Sequence, residues 1–239
     1  MLPLLLCLLT SPTWAKKPAP PPPPDWRPTE DMVEDHKKGM TALAAADWAA
    51  AEAAFTLVLA KEPECGQALA GLGRAQVMLG RAPEALPSLQ KASTLFPDQV
   101  DAHLWHAKAA AATGAGDVAL GEVKAIFATK PAHLEAHRVA QSVLRERKSY
   151  AEAHDLLASA RAAANNPGFD CLEGVLFAAE DKLGDATRMT TTCAGVPDQT
   201  LYTELTRAIT DAVARAEAAA PPPEPEPPPP PPEAPKKKR

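Results

Sequence analysis

Aromatic residues are scarce in this chain, at 5% of 239 positions. An excess of basic charge is missing too. The formal net charge is -5, which gives no footprint for nucleic acid, since that partner calls for a basic face. The apolar run at the N-terminus, Met1 to Leu9, is far too short to span a bilayer as a helix. There is no glycine-rich phosphate loop. Gly71-Leu72-Gly73 falls inside a helical pattern and lacks the strand that a nucleotide fold needs. No serine or cysteine nucleophile sits in a local motif, so no catalytic residue is named and no cofactor or bound metal is expected.

What the chain has in quantity is alanine, about a fifth of all positions, the residue with the best intrinsic helix propensity. It also has 27 prolines, but these are segregated: nine precede Thr29, eleven follow Ala220, and seven fall between. The chain thus divides into two proline-rich flanks around a helix-forming body. Met1 to Leu9 followed by Thr13-Trp14-Ala15 matches the apolar core and small-residue end of a secretory signal over 1–15. This leads us to expect an exported protein of a bacterial periplasm or outer envelope, where disulfides are permitted.

Self-similarity appears on stepping by 34 residues. Ala51, Ala85, Ala119 and Ala153 form one column. Phe55, Leu89, Val123 and Leu157 form a second. Pro63, Pro97 and Pro131 form a third, and Gly39, Gly73 and Ala107 a column of small residues. Turn signals fall between the helices of each pair, at Ala46-Asp47-Trp48, Gly80-Arg81, Gly114-Ala115-Gly116 and Lys148-Ser149-Tyr150. The small residues let the first helix lie close to the second, and the large apolar column fills the space between repeats. Each proline ends its second helix. Pro83 suits a first helical turn, whereas Pro87, one turn later, is expected to kink or delay its helix.

Period, small residue, alanine, large apolar residue and closing proline together resemble the tetratricopeptide-repeat family, over roughly Met32 to Pro167. The resemblance implies an all-α, right-handed solenoid of antiparallel helix pairs. The organisation expected is a proline-rich linker over 16–30, four repeats over 31–167, and a degenerate helix pair plus capping helix over 168–220. A proline-rich tail with a basic end follows over 221–239. Asp35 and Lys38 replace the apolar Leu69 and Leu72 of the next repeat, as suits a terminal helix with no outer neighbour.

In the degenerate pair Leu183-Gly184-Asp185 marks a turn. Cys171 and Cys193 lie equally far on either side of Lys182, so an antiparallel hairpin sets them face to face, as a disulfide or as two buried thiols. Cys65 is left over, as a thiol or a link between two copies. The last helix carries an apolar stripe of Leu201, Leu205, Ile209, Val213 and Ala216, with Asp198 or Thr200 to cap its start. The flanks are expected to be disordered or extended as polyproline II. The tail is then a spacer bringing Lys236-Lys237-Lys238-Arg239 to an acidic surface, or merely a solvated end.

Two histidine pairs, His103 with His106 and His133 with His137, have helical spacing that a metal could use. His103 and His137 also stand 34 apart, which fits packing residues in the helix stack. The family binds ligands in a concave groove lined by each repeat's first helix. Carried over by register, that groove includes Met40, Arg74, Asp101, Lys108, Arg138 and Arg145. Its cations suit an acidic or carboxylate-bearing protein segment, unless Asp101 and Glu135 pair with them internally. The function implied is a non-catalytic scaffold or adaptor of the cell envelope. The alternatives are an envelope spacer working through its proline-rich arms and a histidine-based metal binder. Beyond weak surface contact by the basic tail, no membrane association is expected.

Overall fold

The computed structural model describes residues 27–219. The expected signal, most of the N-terminal linker and the tail lie outside the described residues. A 3-10 turn at Glu30–Met32 leads into eleven α-helices, and no strand occurs among the described residues.

Four helix pairs follow one another: α1 (Val33–Ala44) with α2 (Trp48–Lys61), α3 (Gly66–Met78) with α4 (Ala82–Leu95), α5 (Val100–Ala112) with α6 (Gly116–Thr129), and α7 (Leu134–Glu146) with α8 (Tyr150–Ala163). A fifth pair, α9 (Gly168–Ala179) and α10 (Leu183–Cys193), precedes the long α11 (Gln199–Ala219). Each helix packs on the next in sequence. First helices also touch first helices along the series α1, α3, α5, α7, α9. The stack is therefore a solenoid that curves with its first helices inside and its second helices splayed on the outer face.

The side chains explain the stacking. Ala51, Ala85, Ala119 and Ala153 are all buried, as are Phe55, Leu89, Val123 and Leu157. A Cβ on Gly39 would sit 2.8 Å from the Phe55 ring, and one on Gly71 would sit 2.5 Å from it. Phe55 thus fills the wedge between α1 and α3, two helices of successive repeats. At Gly73 the clash would be with Cγ of Leu89. The fourth repeat breaks this column. Its residue is Gln141, buried, with its side-chain amide donating to the backbone carbonyl of Leu172 on α9. α7 and α8 also pack less closely than the helices of the earlier pairs. An outer cleft of about 460 Å3 lies between α6 and α8, lined in part by Leu120, Phe127 and Leu156.

Three expectations need correction. α4 starts at Ala82 and runs through Pro87 without delay. The ring is exposed, and the backbone carbonyl one turn earlier, deprived of an N–H partner, can be met by water near the helix start. The turn of the fifth pair is centred on Asp181, which adopts φ 60°, while Leu183 and Gly184 already belong to α10. In α11 the stripe holds through Leu201, Leu205 and half-buried Ile209, then passes to Ala212, leaving Val213 and Ala216 exposed. At 3.6 residues per turn a strict spacing of four drifts round the helix, and three-residue steps must correct it. Asp198 caps α11, accepting from the Thr200 backbone N–H at 3.0 Å and from its hydroxyl at 2.5 Å.

No helix among the described residues is long and apolar enough to cross a membrane. Cys65 is fully buried just before α3, so a link between two copies through it would require the stack to open. Cys171 on α9 and Cys193 on α10 face each other with Cα atoms 5.1 Å apart and sulfurs at bonding distance.

Candidate functional site

The inner face of the solenoid is built from one stripe on each first helix. On α5, Asp101, Trp105 and Lys108 follow at helical spacing and share that stripe. Arg74 projects from α3 and Met40 from α1. Met40, Arg74, Asp101 and Trp105, together with Leu43, Gln67 and Gln99, line a pocket of about 130 Å3. Trp105 is part of its wall. The Arg74 guanidinium sits 5.2 Å from the ring centre and the Lys108 ammonium 4.7 Å from it, both within cation–π range.

The two cations differ in their partners. Lys108 donates to Glu135 on α7 at 2.7 Å. Burial pushes the Glu135 carboxyl up, but the hydrogen bond from Lys108 and the charge of Arg138 outweigh it and hold the group below its ordinary value. Arg74 has no carboxylate partner among the described residues, and its Nε is buried without an acceptor. Asp101 is exposed and likewise lacks an ion pair among the described residues. Met40 is 48% exposed, an apolar surface open to a ligand.

The structure does not place all the expected groove residues together. Arg138 belongs to a second depression of about 210 Å3 with Lys108, Glu135, Ser142 and Glu204. Its guanidinium bridges Glu135 at 3.4 Å and Glu204 of α11 at 2.8 Å. The capping helix thereby closes the C-terminal half of the groove with the chain's own acid. Arg145 lies about two turns further along α7 than Arg138, half-buried and outside both depressions. The internal pairing expected for Asp101 and Glu135 thus holds for Glu135 and not for Asp101.

Trp105 and Glu204 are the residues that register reasoning missed. Repeats place Gly71, Trp105 and Val139 at equivalent positions, so no column marks the indole. The available signal was its spacing, one turn after Asp101 and one before Lys108. Glu204 lies beyond the repeats and has no periodic signal at all.

The histidines form a network elsewhere. His103 Nδ1 lies 2.5 Å and His106 Nδ1 3.0 Å from the two carboxylate oxygens of Glu122 on α6. His103 Nε2 donates to the Pro97 carbonyl at 2.8 Å. With both ring nitrogens of His103 engaged, it has no lone pair to offer a metal. Burial pushes Glu122 up, but the bonds from His103 and His106 prevail and hold it at about 2. His133 caps α7 by accepting from the Ala136 N–H at 3.2 Å. Among the described residues no group of three or more His, Cys, Asp or Glu side chains is arranged to hold a metal ion.

Comparison with known proteins agrees with the repeat register. The model of the tetratricopeptide repeat matches residues 36–100 and 79–132. No curated protein matches the chain in sequence. Among solved structures, the fold is similar to that of TTC0263, a thermophilic tetratricopeptide-repeat protein of Thermus thermophilus. Identity is 19% and the TM-score 0.62, covering 75% of this chain and 99% of that one. It is similar to a tetratricopeptide-repeat protein of Parabacteroides merdae at 19% identity and TM-score 0.60, covering 79% and 77% of the two chains. It is also similar to YrrB, a tetratricopeptide-repeat protein with an unusual peptide-binding site. There identity is 17% and the TM-score 0.54, over 74% of this chain and 93% of that one. Period, stacking and these likenesses lead to one conclusion: residues 36–132 match tetratricopeptide repeats, and the described residues fold as a solenoid of the tetratricopeptide-repeat type.

Proposed function

We propose that the chain is a non-catalytic adaptor that holds a carboxylate-bearing segment of a partner protein in the N-terminal half of its inner groove. The fold suits a protein-interaction scaffold. One observation carries the finer reading: Arg74 stands over Trp105 at the open face of a pocket, with no carboxylate partner among the described residues. A guanidinium in a partly desolvated site gains most from a charged acceptor, and Arg takes a carboxylate in a fixed, two-pronged geometry. Trp105 and Met40 add apolar surface, and Gln67 and Gln99 supply amides that can bond a peptide backbone. YrrB, with its peptide-binding site, is a precedent on a similar fold.

We further propose an exported, envelope location. Its support is the signal-like sequence over 1–15 and the facing cysteines Cys171 and Cys193, which would oxidise in such a compartment.

The groove is tested by affinity capture from the native organism using the chain, an Arg74→Glu variant and an outer-face control, Lys124→Glu. The reading expects a specific partner to be lost with Arg74→Glu and kept with Lys124→Glu, both variants retaining the helical circular dichroism of the parent. Equal capture by all three chains refutes it. Cell fractionation tests the location, and recovery in the cytosol alone contradicts it.

A further inference from the structure

The helices α9, α10 and α11 form a terminal unit that is tied together internally. Cys171 faces Cys193 across α9 and α10. Arg215 holds α11 to the end of α9, donating to the Ala178 carbonyl at 2.9 Å and to Asp181 at 2.8 Å. The unit meets the fourth repeat where α9 packs on α7 and α8, and residues 164–167 carry the chain across outside any helix.

At that joint His154 of α8 reaches two acids of the unit. Its Nδ1 lies 2.5 Å from Glu173 and its Nε2 2.8 Å from Glu180. A neutral imidazole donates through one nitrogen and presents a lone pair at the other, so it serves only one of the two carboxylates. The doubly protonated ring serves both. Glu173 is buried, and no other donor is aligned on its carboxylate among the described residues, although Arg161 lies 3.2 Å from its second oxygen.

The other charges around the ring belong to the same cluster. Arg161 of α8 also pairs with Asp170 of α9 at 2.9 Å. Lys182, in the turn after α9, pairs with Glu180 at 3.0 Å. From α7 no charged group pairs with the ring or with either acid among the described residues. The aromatic ring of Phe177 completes the surroundings, 5.2 Å from the imidazole centre.

We infer that His154 is a proton-operated latch: its protonated ring clamps the terminal unit onto the fourth repeat, and loss of that proton loosens the unit. Glu204 rides on α11, so the latch also governs how firmly the unit closes the groove over Arg138. Burial pushes the His154 ring down, but its hydrogen bonds to Glu180 and Glu173 outweigh burial and raise it above its ordinary value of 6.5. A raised group adds stability that is complete below its unfolded value and is lost as pH rises through its folded one. The latch is therefore closed in mild acid and released in mild alkali.

The test is amide hydrogen exchange on the full chain near pH 6 and near pH 9. Protection of α9 and α11 is read relative to α2 of the same molecule, which cancels the intrinsic effect of pH on exchange. A hydrogen bond to a charged group changes a local opening equilibrium roughly tenfold, so relative protection is expected to fall by about that factor at the higher pH. His154→Gln cannot take up the charge and is expected to show no such fall. Glu180→Gln, whose amide can donate to the lone pair of a neutral ring, is expected to keep its protection at the higher pH. Equal relative protection of the parent at the two pH values overturns the inference. A fall of the parent's size in either variant overturns it too.

Discussion

His103 and His137 stand one repeat apart and make the same bond, each through Nε2 to the carbonyl of the inter-repeat proline six residues earlier, Pro97 at 2.8 Å and Pro131 at 2.7 Å. The histidine ties the start of a first helix to the loop that delivers it. Their other faces differ. His103 Nδ1 meets Glu122, while the His137 ring stacks on Phe127 at 4.2 Å, and its Nδ1 is buried without a partner. The Glu122 hydrogen bond raises the pKa of His103 above its ordinary value, and burial lowers that of His137.

The two histidines should therefore titrate on opposite sides of pH 6.5, as followed by their imidazole NMR signals. The raised His103 adds stability that is complete below its unfolded value and is lost as pH rises through its folded one. The depressed Glu122 adds stability that is complete above about 4.5 and is lost as pH falls towards about 2. Their overlap spans about pH 4.5 to 6.5. Glu122→Gln is accordingly expected to lower the melting temperature by several degrees at pH 6 and by clearly less at pH 9. An equal loss at both values would show that the ion pair is not what Glu122 contributes.

Two glycines inside helices should respond in opposite ways to alanine. At Gly73 the new methyl would overlap the side chain of Leu89, so Gly73→Ala should destabilise by about 1–3 kcal/mol through overpacking. At Gly121 on the outer face nothing lies within 4 Å, so Gly121→Ala should stabilise by about 0.5–1 kcal/mol through helix propensity. Chemical denaturation measures both. A harmless Gly73→Ala would contradict the close approach of α3 to α4.

The facing cysteines make a third prediction. A bridge between positions separated by 22 residues should contribute about 3 kcal/mol by loop closure. Replacing both Cys171 and Cys193 with alanine should lower the denaturation midpoint accordingly. Thiol titration of the unfolded parent purified under oxidising conditions should show Cys65 reactive and Cys171 and Cys193 protected. Equal reactivity of all three would show that the bridge is not formed.

The repeat body was legible because its signal is local and periodic. Gly39, Gly73 and Ala107 recur at the spacing that places each against a large apolar residue of the second helix. The cation row of the groove was legible only in part. Arg74 and Lys108 share a register position, but pairing depends on neighbours outside it. Glu135 takes Lys108, and Glu204, far along the chain, takes Arg138. Trp105 has no equivalent in the neighbouring repeats, so periodicity passes over this part of the pocket wall. The Asp181 turn was misplaced by three residues because glycine is the default for a left-handed turn, and here aspartate fills it.

The central claim is that the inner face at Trp105 binds protein. A photo-crosslinking amino acid placed at exposed Met40 in the groove, or at exposed Val118 on the outer face, tests it most directly in living cells. The account predicts a discrete adduct from position 40 that disappears with Arg74→Glu, and none from position 118. Adducts from position 118 alone, or from position 40 regardless of Arg74, would contradict it.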